Sequence, residues 1–349
     1  MHAHDRRRRL RGSRVALVLG LGACLTLTDA AGTAPDARFV LLVHGGVGTI
    51  RKAEMTPQDE AAYREALTRA LRAGYDILSA GGASLDAVEA TLVVLEDSPL
   101  FNAGKGAVFT DAGTVELDAS IMDGRTLNAG AVAGVRHIRN PIRLARQVME
   151  RSPHVLLARE GAEAFAKEIG MQLVAPDYFF TEHRWQQLQR AKAAEERASG
   201  GGSSSRPERD RKHGTVGAVA VDAHGTLAAG TSTGGLTNKH WGRIGDSPIV
   251  GAGTYADNAS CAVSGTGTGE YFIRHAVAHD ICARVRYLGA SVQQAADSVI
   301  LGTLGRQNVD GGVIVLDREG RMAIAFNTEG MYRGWVGPDG KIVVKMYRE

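Results

Sequence analysis

The chain is short of cysteine, proline and aromatic residues. Of 349 residues, three are cysteine and nine are proline, and Phe, Trp and Tyr together make up 5%. Three cysteines cannot staple a chain of this length into a disulfide-dense fold. No apolar run of membrane-spanning length occurs in the body of the chain. There is also little excess charge: 41 Lys and Arg stand against 38 Asp and Glu. Residues 1–30 hold six of the arginines and two of the aspartates, which leaves 35 basic and 36 acidic residues in the remainder. That remainder carries no electrostatic footprint for nucleic acid. What the chain does have is glycine, 44 residues of it, and a 44% hydrophobic content. The glycines follow no three-residue period, so the chain is not collagen-like. The apolar content is ample for a buried core. The length allows one large domain or two ordinary ones.

The N-terminal region reads as an export signal. A basic stretch (HAHDRRRRLRGSR) is followed by a short apolar run (VALVLGLGACLTL) and then by small residues. Cleavage is expected between Ala30 and Ala34, and the destination would be the periplasm or the cell exterior. Leu21-Gly22-Ala23-Cys24 has the look of a lipobox that would place a lipid on Cys24, although apolar residues continue beyond it. The arginine run also holds a weak twin-arginine pattern. The other two cysteines, Cys261 and Cys282, read as small buried hydrophobes. Their spacing does not demand a bridge.

Apolar patterning predicts a buried strand over 38–43, a helix over 57–80 beginning at Pro57, and a second helix over 85–96 capped by Ser84. Short strands are expected in AVFT, TVELDASIMD and NAGAVAGV within 106–135, and helices in parts of 141–197. Residues 191–213 are charged, then Gly/Ser-rich, then charged again, and read as a flexible linker. Directly after it, TVGAVAVD and TLAAGTST predict two paired strands turning at 223–225. Further strands are expected near 249–253, 260–265, 312–317 and 322–327, and helices over 268–286 and 291–304. Strands flanked by helices at both ends suggest stacked sheets covered by helices.

Three segments have the makings of a chemical site. Gly230-Thr231-Ser232-Thr233-Gly234 matches G-x-S-x-G, with His44-Gly45-Gly46 as an oxyanion-loop fragment. Asp246 or Asp257 and His275 or His279 would complete a serine triad around Ser232. The motif requires a helix after the turn, and residues 235–242 do not read as one. Gly265–Glu270 precedes a helix and resembles an anion-binding turn, but it lacks both the dinucleotide spacing and a Walker lysine. The third candidate is Thr215, placed directly behind the linker. A cut before it would give one residue both a hydroxyl and a free α-amine, whose reference pKa of about 7.7–8.0 suits a general base. Nucleophile and base would then belong to the same residue. The flexibility of Gly214 would ease attack by the Thr215 hydroxyl on the preceding carbonyl.

His213–Ala220, Gly230–Lys239 and Gly242–Pro248 resemble the plant-type asparaginase / isoaspartyl peptidase family of N-terminal-nucleophile threonine hydrolases. The resemblance extends to His44-Gly45-Gly46, Leu100–Gly104, Glu116–Ala119, Met122–Gly124, Gly265–Glu270 and Phe326–Arg333, and so covers nearly the whole chain after the signal. It implies an α+β fold of the αββα sandwich type. The precursor would cleave itself between Gly214 and Thr215, and two cleaved pairs would form a dimer. Thr215 would be the nucleophile with Thr233 beside it. Thr266 and Gly267 would supply the oxyanion hole and also contact substrate. Arg243 would hold the substrate α-carboxylate and Asp246 the α-ammonium, while Asn102 would shape the scissile site. A structural sodium would sit on the main-chain carbonyls of Leu95, Glu96, Ser98, Phe101, Ala103 and Lys105. No catalytic metal or organic cofactor is implied.

The elementary chemistry agrees with these roles. Arginine binds carboxylates bidentately, and a carboxylate three residues on can meet an ammonium, so the pair selects an amino-acid head group. Asp118 and Asp123 read instead as sheet and turn residues. The expected organisation is a signal over 1–34, an α-subunit over 35–214 that includes the linker, and a β-subunit over 215–349. The expected activity is hydrolysis of β-aspartyl dipeptides and L-asparagine with release of aspartate. Rival readings are a glycosylasparaginase of the same fold, the Ser232 hydrolase, and an exported amino-acid-binding protein using Arg243 and Asp246 as a clamp. Two residues depart from the family pattern: Trp241 close to Arg243, where it would narrow or reshape the substrate mouth, and Lys105 in the sodium loop.

Overall fold

The computed structural model describes residues 39–48, 50–200 and 214–348, without the side chains of 199 and 200. The export signal, Cys24 and the second half of the predicted linker lie outside the described residues. The first half of the linker is helix. In chain order the elements are β1 (Val40–Gly48), α1 (Pro57–Ser79), α2 (Ser84–Glu96), β2 (Leu117–Asp123), β3 (Ala129–Val135), α3 (Pro141–Arg151), β4 (Leu156–Ala158), α4 (Arg159–Glu168) and α5 (Glu182–Gly200). After the undescribed segment come β5 (Val216–Val221), β6 (Leu227–Thr233), β7 (Thr254–Ala256), β8 (Ala262–Gly267), α6 (Gly269–Arg274), α7 (Val277–Leu288), α8 (Val292–Asp297), a π-helical turn over Ser298–Leu304, β9 (Gly311–Leu316), β10 (Met322–Phe326), β11 (Gly330–Val336) and β12 (Val343–Tyr347). Helix α5 runs into the predicted linker because Ala, Glu, Lys and Arg are strong helix formers whatever their charge.

Among the described residues the strands form two sheets. The larger has eight strands in the order β12-β11-β1-β5-β6-β2-β3-β4, and the smaller has four in the order β10-β9-β8-β7. All pairings are antiparallel except β3 with β4. Helices α1, α2 and α3 cover the outer face of the large sheet, and α7 and α8 cover the small one. The sheets face each other through β1, β5 and β6 on one side and β8 and β9 on the other. Three apolar layers result. One lies between α1–α3 and the large sheet, one between the sheets, and one between the small sheet and α7–α8. This is the αββα sandwich that the resemblance implied. No helix among the described residues is long and apolar enough to cross a membrane.

Several local expectations change. Pro57 does open α1, behind a Thr56 cap whose hydroxyl accepts from the Asp59 N–H at 3.1 Å. Ser84 is not a cap: it lies in the first turn of α2, and its N–H donates to Asp222 Oδ2 at 3.1 Å. AVFT contributes only an isolated bridge, Phe109 with Val115, and 249–253 contributes one from Val250 to Thr254. The predicted helix over 268–286 is two helices, because Ala276 takes a left-handed backbone (φ 46°) between them.

A further departure concerns the cysteines. Cys261, just before β8, and Cys282, on α7, form a disulfide with Cα atoms 5.3 Å apart. Both residues are buried, so the bridge sits inside the apolar layer and ties α7 to the small sheet. It closes a loop with a sequence separation of 21 residues. Replacing both cysteines by alanine should therefore cost about 3 kcal/mol of stability, read as a lower urea midpoint. An unchanged midpoint, or two free thiols titrating in the unreduced unfolded protein, would show that the bridge does not carry this load.

Candidate active site

The β5–β6 hairpin builds the centre of the site. Its register pairs Val216 with Ser232, so Thr215, one residue before β5, lies opposite Thr233. Their hydroxyl oxygens are 3.0 Å apart and both residues are buried. Thr233 Oγ1 also accepts the Gly235 N–H at 3.1 Å, which fixes its rotamer. On the other side of Thr215, the Gly214 carbonyl accepts the backbone N–H of Asn102 at 3.1 Å. A Cβ on Gly214 would lie 2.6 Å from Asn102 Cβ, so only glycine fits this close approach. The Asn102 amide is used elsewhere: Nδ2 donates to the Gly235 carbonyl at 2.7 Å and Oδ1 accepts the Val108 N–H at 2.9 Å. Asn102 thus shapes the Gly214–Thr215 junction through its main chain, while its side chain braces the loop after β6.

A small cleft opens over Thr215. Its wall brings together five of the predicted residues: Thr215, Thr233, Arg243, Asp246 and Gly267. Thr266 is buried beside Gly267 at the end of β8.

Arg243 does not pair with Asp246. Its Nε and Nη2 meet Glu270 Oε1 and Oε2 at 3.0 and 3.1 Å, a bidentate pair. Sequence reasoning missed this partner, because Glu270 stands at the end of a glycine-rich turn 27 residues away and no local spacing links the two. Asp246 is buried, and its Oδ2 has no hydrogen-bond partner. Burial pushes its carboxyl up to about 7, against the opposing pull of Arg243. A Cβ on Gly269 would stand 2.6 Å from Arg243 Nη2 and 2.9 Å from Asp246 Oδ1, so the absence of a side chain there lets both groups reach the same wall. An arginine head and an orphaned carboxylate facing one small cleft can hold a ligand bearing both an anion and a cation.

A second charged group lies behind the cleft. Lys239 is almost wholly buried, with Nζ 3.2 Å from the Glu116 carbonyl and 3.8 Å from Glu116 Oε2. Burial lowers its pKa, and Asp118 and Glu116 oppose that. Asp118 is itself raised by burial, and its Oδ1 accepts the Gly134 N–H at 2.8 Å. Asp123 accepts the Arg125 N–H and the Thr126 hydroxyl, each at 2.9 Å, as a turn residue does.

Other expectations are corrected. Ser232 lies within β6 and faces α2, fully buried, with its hydroxyl donating to Glu96 Oε1 at 2.6 Å. Side chains alternate across a strand, so the same register that turns Thr233 toward the cleft turns Ser232 away. Ser232 thus stands on no nucleophile elbow, and the serine-hydrolase reading fails. Its would-be partners are engaged elsewhere: Asp257 meets Arg286 at 2.8 Å and His275 meets Gln307 at 3.1 Å. His44-Gly45-Gly46 is part of β1 and buried, not an oxyanion loop. Burial drives the His44 imidazole down to about 3. Trp241 does not narrow the mouth. It is 98% exposed at the tip of a turn closed by the Arg243 N–H on the His240 carbonyl at 3.0 Å. Trp241 and Gly242, the central residues, have φ of 53° and 65°, as a type I′ turn requires.

The loop proposed for sodium has a fitting shape. A Cβ on Gly104 would collide with the Glu96 carbonyl, and one on Gly106 would collide with the Phe101 carbonyl and come within 2.7 Å of that of Pro99. Main-chain oxygens thus crowd around glycines in a turn that leads into and out of Asn102. Lys105 projects away, its Nζ 5.1 Å from the centre of the Tyr178 ring.

Comparison with known proteins agrees with this geometry. Residues 37–344 match the family model described as Asparaginase. The chain is 52% identical to an isoaspartyl peptidase of Salmonella typhimurium over 312 residues, which is 89% of this chain and 99% of the relative. It is 51% identical to an isoaspartyl peptidase of Escherichia coli over 313 residues, 89% of this chain and 97% of the relative. It is 40% identical to a probable isoaspartyl peptidase/L-asparaginase of Arabidopsis thaliana over 328 residues, 88% of this chain and 99% of the relative.

Two outcomes follow from the site's energetics. The folded Asp246 carboxyl holds its proton up to about pH 7, whereas in the unfolded chain it ionises near ~3.9. Between those values the folded state binds more protons, so rising pH removes stability, by at most about 1.4 kcal/mol per pH unit. Asp246→Asn should therefore gain on the wild type in urea midpoint from pH 4 to 7 and keep the gain above; parallel midpoint curves would contradict the assignment. At the I′ turn, a bulky residue bears the left-handed backbone without any burial in return, and asparagine tolerates that conformation. Trp241→Asn should raise stability by up to about 1 kcal/mol in thermal melts. A lower melting point would mean that the indole packs on something.

Proposed function

The chain belongs to the asparaginase family, and on that premise we propose that it is a self-processing threonine amidohydrolase. It hydrolyses β-aspartyl dipeptides and L-asparagine and releases aspartate. The observation that carries this reading is the 3.0 Å contact of the Thr215 and Thr233 hydroxyls beside a Gly214 carbonyl already bonded to the Asn102 N–H.

In processing, Thr215 Oγ1 attacks the Gly214 carbonyl carbon. The N–H of Asn102 stabilises the developing oxyanion, the C–N bond breaks, and the Thr215 nitrogen takes a proton. Water then hydrolyses the ester, leaving Gly214 with a carboxylate and Thr215 with a free amine. In turnover that amine removes the hydroxyl proton while Thr233 orients the oxygen. Arg243 exchanges Glu270 for the substrate α-carboxylate, and Asp246 gives its unpaired oxygen to the α-ammonium. This places the side-chain carbonyl over Thr215. The oxyanion falls to the Thr266 hydroxyl and the Gly267 N–H, donors of a kind whose loss typically costs about 10²–10³ in rate. The leaving amine departs protonated, and water cleaves the β-aspartyl ester to return Thr215 and aspartate.

The remaining parts of the proposal have separate supports. The fragments 35–214 and 215–349 would stay together after cleavage, because β5 pairs with β1 and β6 with β2 across the cut. Two cleaved pairs would associate as a dimer. A structural sodium would rest on the carbonyls of the loop over 95–105, with Glu96 and Phe101 among its ligands, and would hold Asn102 in place. Export to the periplasm or exterior, after removal of residues 1–34, suits a chain with a buried disulfide.

N-terminal sequencing and intact mass of the purified protein, beside Thr215→Ala, test the mechanism. The wild type should yield a fragment beginning at Thr215, and the variant should stay whole and release no aspartate from a β-aspartyl dipeptide. An uncut wild type that remains active would sink the reading.

A further inference from the structure

The three threonines assigned to the chemistry stand on three strands, and a second set of polar side chains lies beneath them. Two residues farther into each strand on the same face, Thr215 is followed by Gly217, Thr233 is preceded by Thr231, and Thr266 is preceded by Ser264. The registers align this deeper row: Gly217 is opposite His44 on one side and Thr231 on the other, Thr231 is opposite Ser120, and Ser264 is opposite Thr254. Five side chains in the row form one continuous hydrogen-bonded chain. Ser264 Oγ lies 3.0 Å from His44 Nε2 and 2.7 Å from Thr231 Oγ1. Thr231 Oγ1 lies 2.6 Å from Thr254 Oγ1, which lies 2.8 Å from Ser120 Oγ. Ser120 ends the chain by donating to the Ser247 carbonyl at 2.6 Å, and Ser247 is part of the cleft wall next to Asp246.

Every member of this row is fully buried. The neighbouring inter-sheet contacts are apolar, from Leu42, Val219, Ala229, Ile314 and their surroundings. A polar row there is not needed to join the sheets, since hydrophobic side chains of similar volume do so a few residues away. Gly217 makes the row possible: any side chain at that position would run into Ser264 Oγ and His44 Nε2. The contacts also cross between the sheets, with His44, Thr231 and Ser120 on the large one and Ser264 and Thr254 on the small one. Apolar packing permits small slips between layers, whereas hydroxyls at 2.6–3.0 Å define a single offset. That offset sets where Thr266 and Gly267, from the small sheet, stand against Thr215 and Thr233, from the large one.

We propose that the buried row His44, Ser264, Thr231, Thr254 and Ser120 is a positioning layer that holds the nucleophile strand and the oxyanion strand in register for the reaction. Its members touch no substrate; Thr231 and Ser264 act through the threonines two residues away. This rests on the threonine-hydrolase reading above.

The test is a pair of variants that separate hydroxyl from volume. Thr231→Val keeps the shape and removes the hydrogen bonds, and Thr231→Ser keeps the hydroxyl and loses a methyl group. With a β-aspartyl dipeptide, Val should lower kcat about ten- to hundredfold, the scale of an ångström-level misplacement, with KM little changed. Ser should recover most of kcat. The extent of cleavage before Thr215 is read alongside, and a processing defect in Val that Ser restores counts as the same result. If Thr231→Val does not fold, Ser264→Ala replaces it, read by the same kcat, KM and processing measurements. Equal activity of Val and wild type, a greater loss in Ser than in Val, equal losses in both, or a change in KM alone would each overturn the proposal. Failure of the underlying reading is recognised separately, by an uncut and active wild type or an active Thr215→Ala.

Discussion

The close approach of the two sheets at Gly217 is the constraint on which the site depends. At this point the strand carrying Thr215 has no side chain to keep the small sheet away, and Ser264 reaches across to His44 and Thr231. Two residues nearer the surface the same approach sets β8, with Thr266 and Gly267, against the Thr215–Thr233 pair. The low aromatic content belongs to the same design. Ala, Gly and Val on β5 and β6 keep the layers near each other, and the large buried rings of Phe101 and Phe272 lie in the helix–sheet layers rather than between the sheets. A buried hydroxyl that loses its partner costs about 1–3 kcal/mol, so the polar row is stable only while the offset between the sheets is correct.

Around this frame the charges are arranged to wait for a ligand. Glu270 takes the Nε and Nη2 donors of Arg243, so the guanidinium is charge-paired and held in the wall of the cleft without substrate. Asp246 is the reverse case: burial makes its ionised form costly, and one oxygen has no partner. A zwitterionic head group would repair both conditions, supplying a carboxylate to Arg243 and an ammonium to Asp246. Lys239, Glu116 and Asp118 form a separate buried cluster behind the wall, where the Lys239 ammonium moderates the burial cost of Asp118 and the two carboxylates moderate that of Lys239. The cleft wall and the cluster behind it thus use different ion pairs.

Much of the fold was legible in local pattern. The β5–β6 hairpin, the two helices after β1, and the strands near 262, 311 and 322 all follow from apolar periodicity and turn residues. The errors came where a tertiary contact decides. The left-handed residue at Ala276 divides a stretch with continuous helical periodicity. Ser232 fits a hydrolase motif letter by letter, yet strand alternation points it at Glu96. Strands β11 and β12 were not foreseen, because β11 pairs with β1, a strand nearly 300 residues earlier, and β12 pairs with β11 at the sheet edge. Within the site, Thr215, Thr233, Arg243, Asp246 and Gly267 could be named from motif resemblance. Glu270 as the partner of Arg243, and the row beneath the threonines, could not, since their members are scattered over five strands and a helix.

The sequence by itself determined the candidate nucleophile, its place behind a glycine at the start of a strand, and the head-group pair, because these are properties of short segments in which spacing is already chemistry. The tertiary structure alone decided which face each strand residue presents, that Cys261 and Cys282 meet, that Asn102 serves the Gly214 carbonyl through its main chain, and how far one sheet lies from the other. Those outcomes depend on register and on the packing of distant layers. No local run of residues carries that information, because each contact is the meeting of two segments whose separation only the folded chain removes.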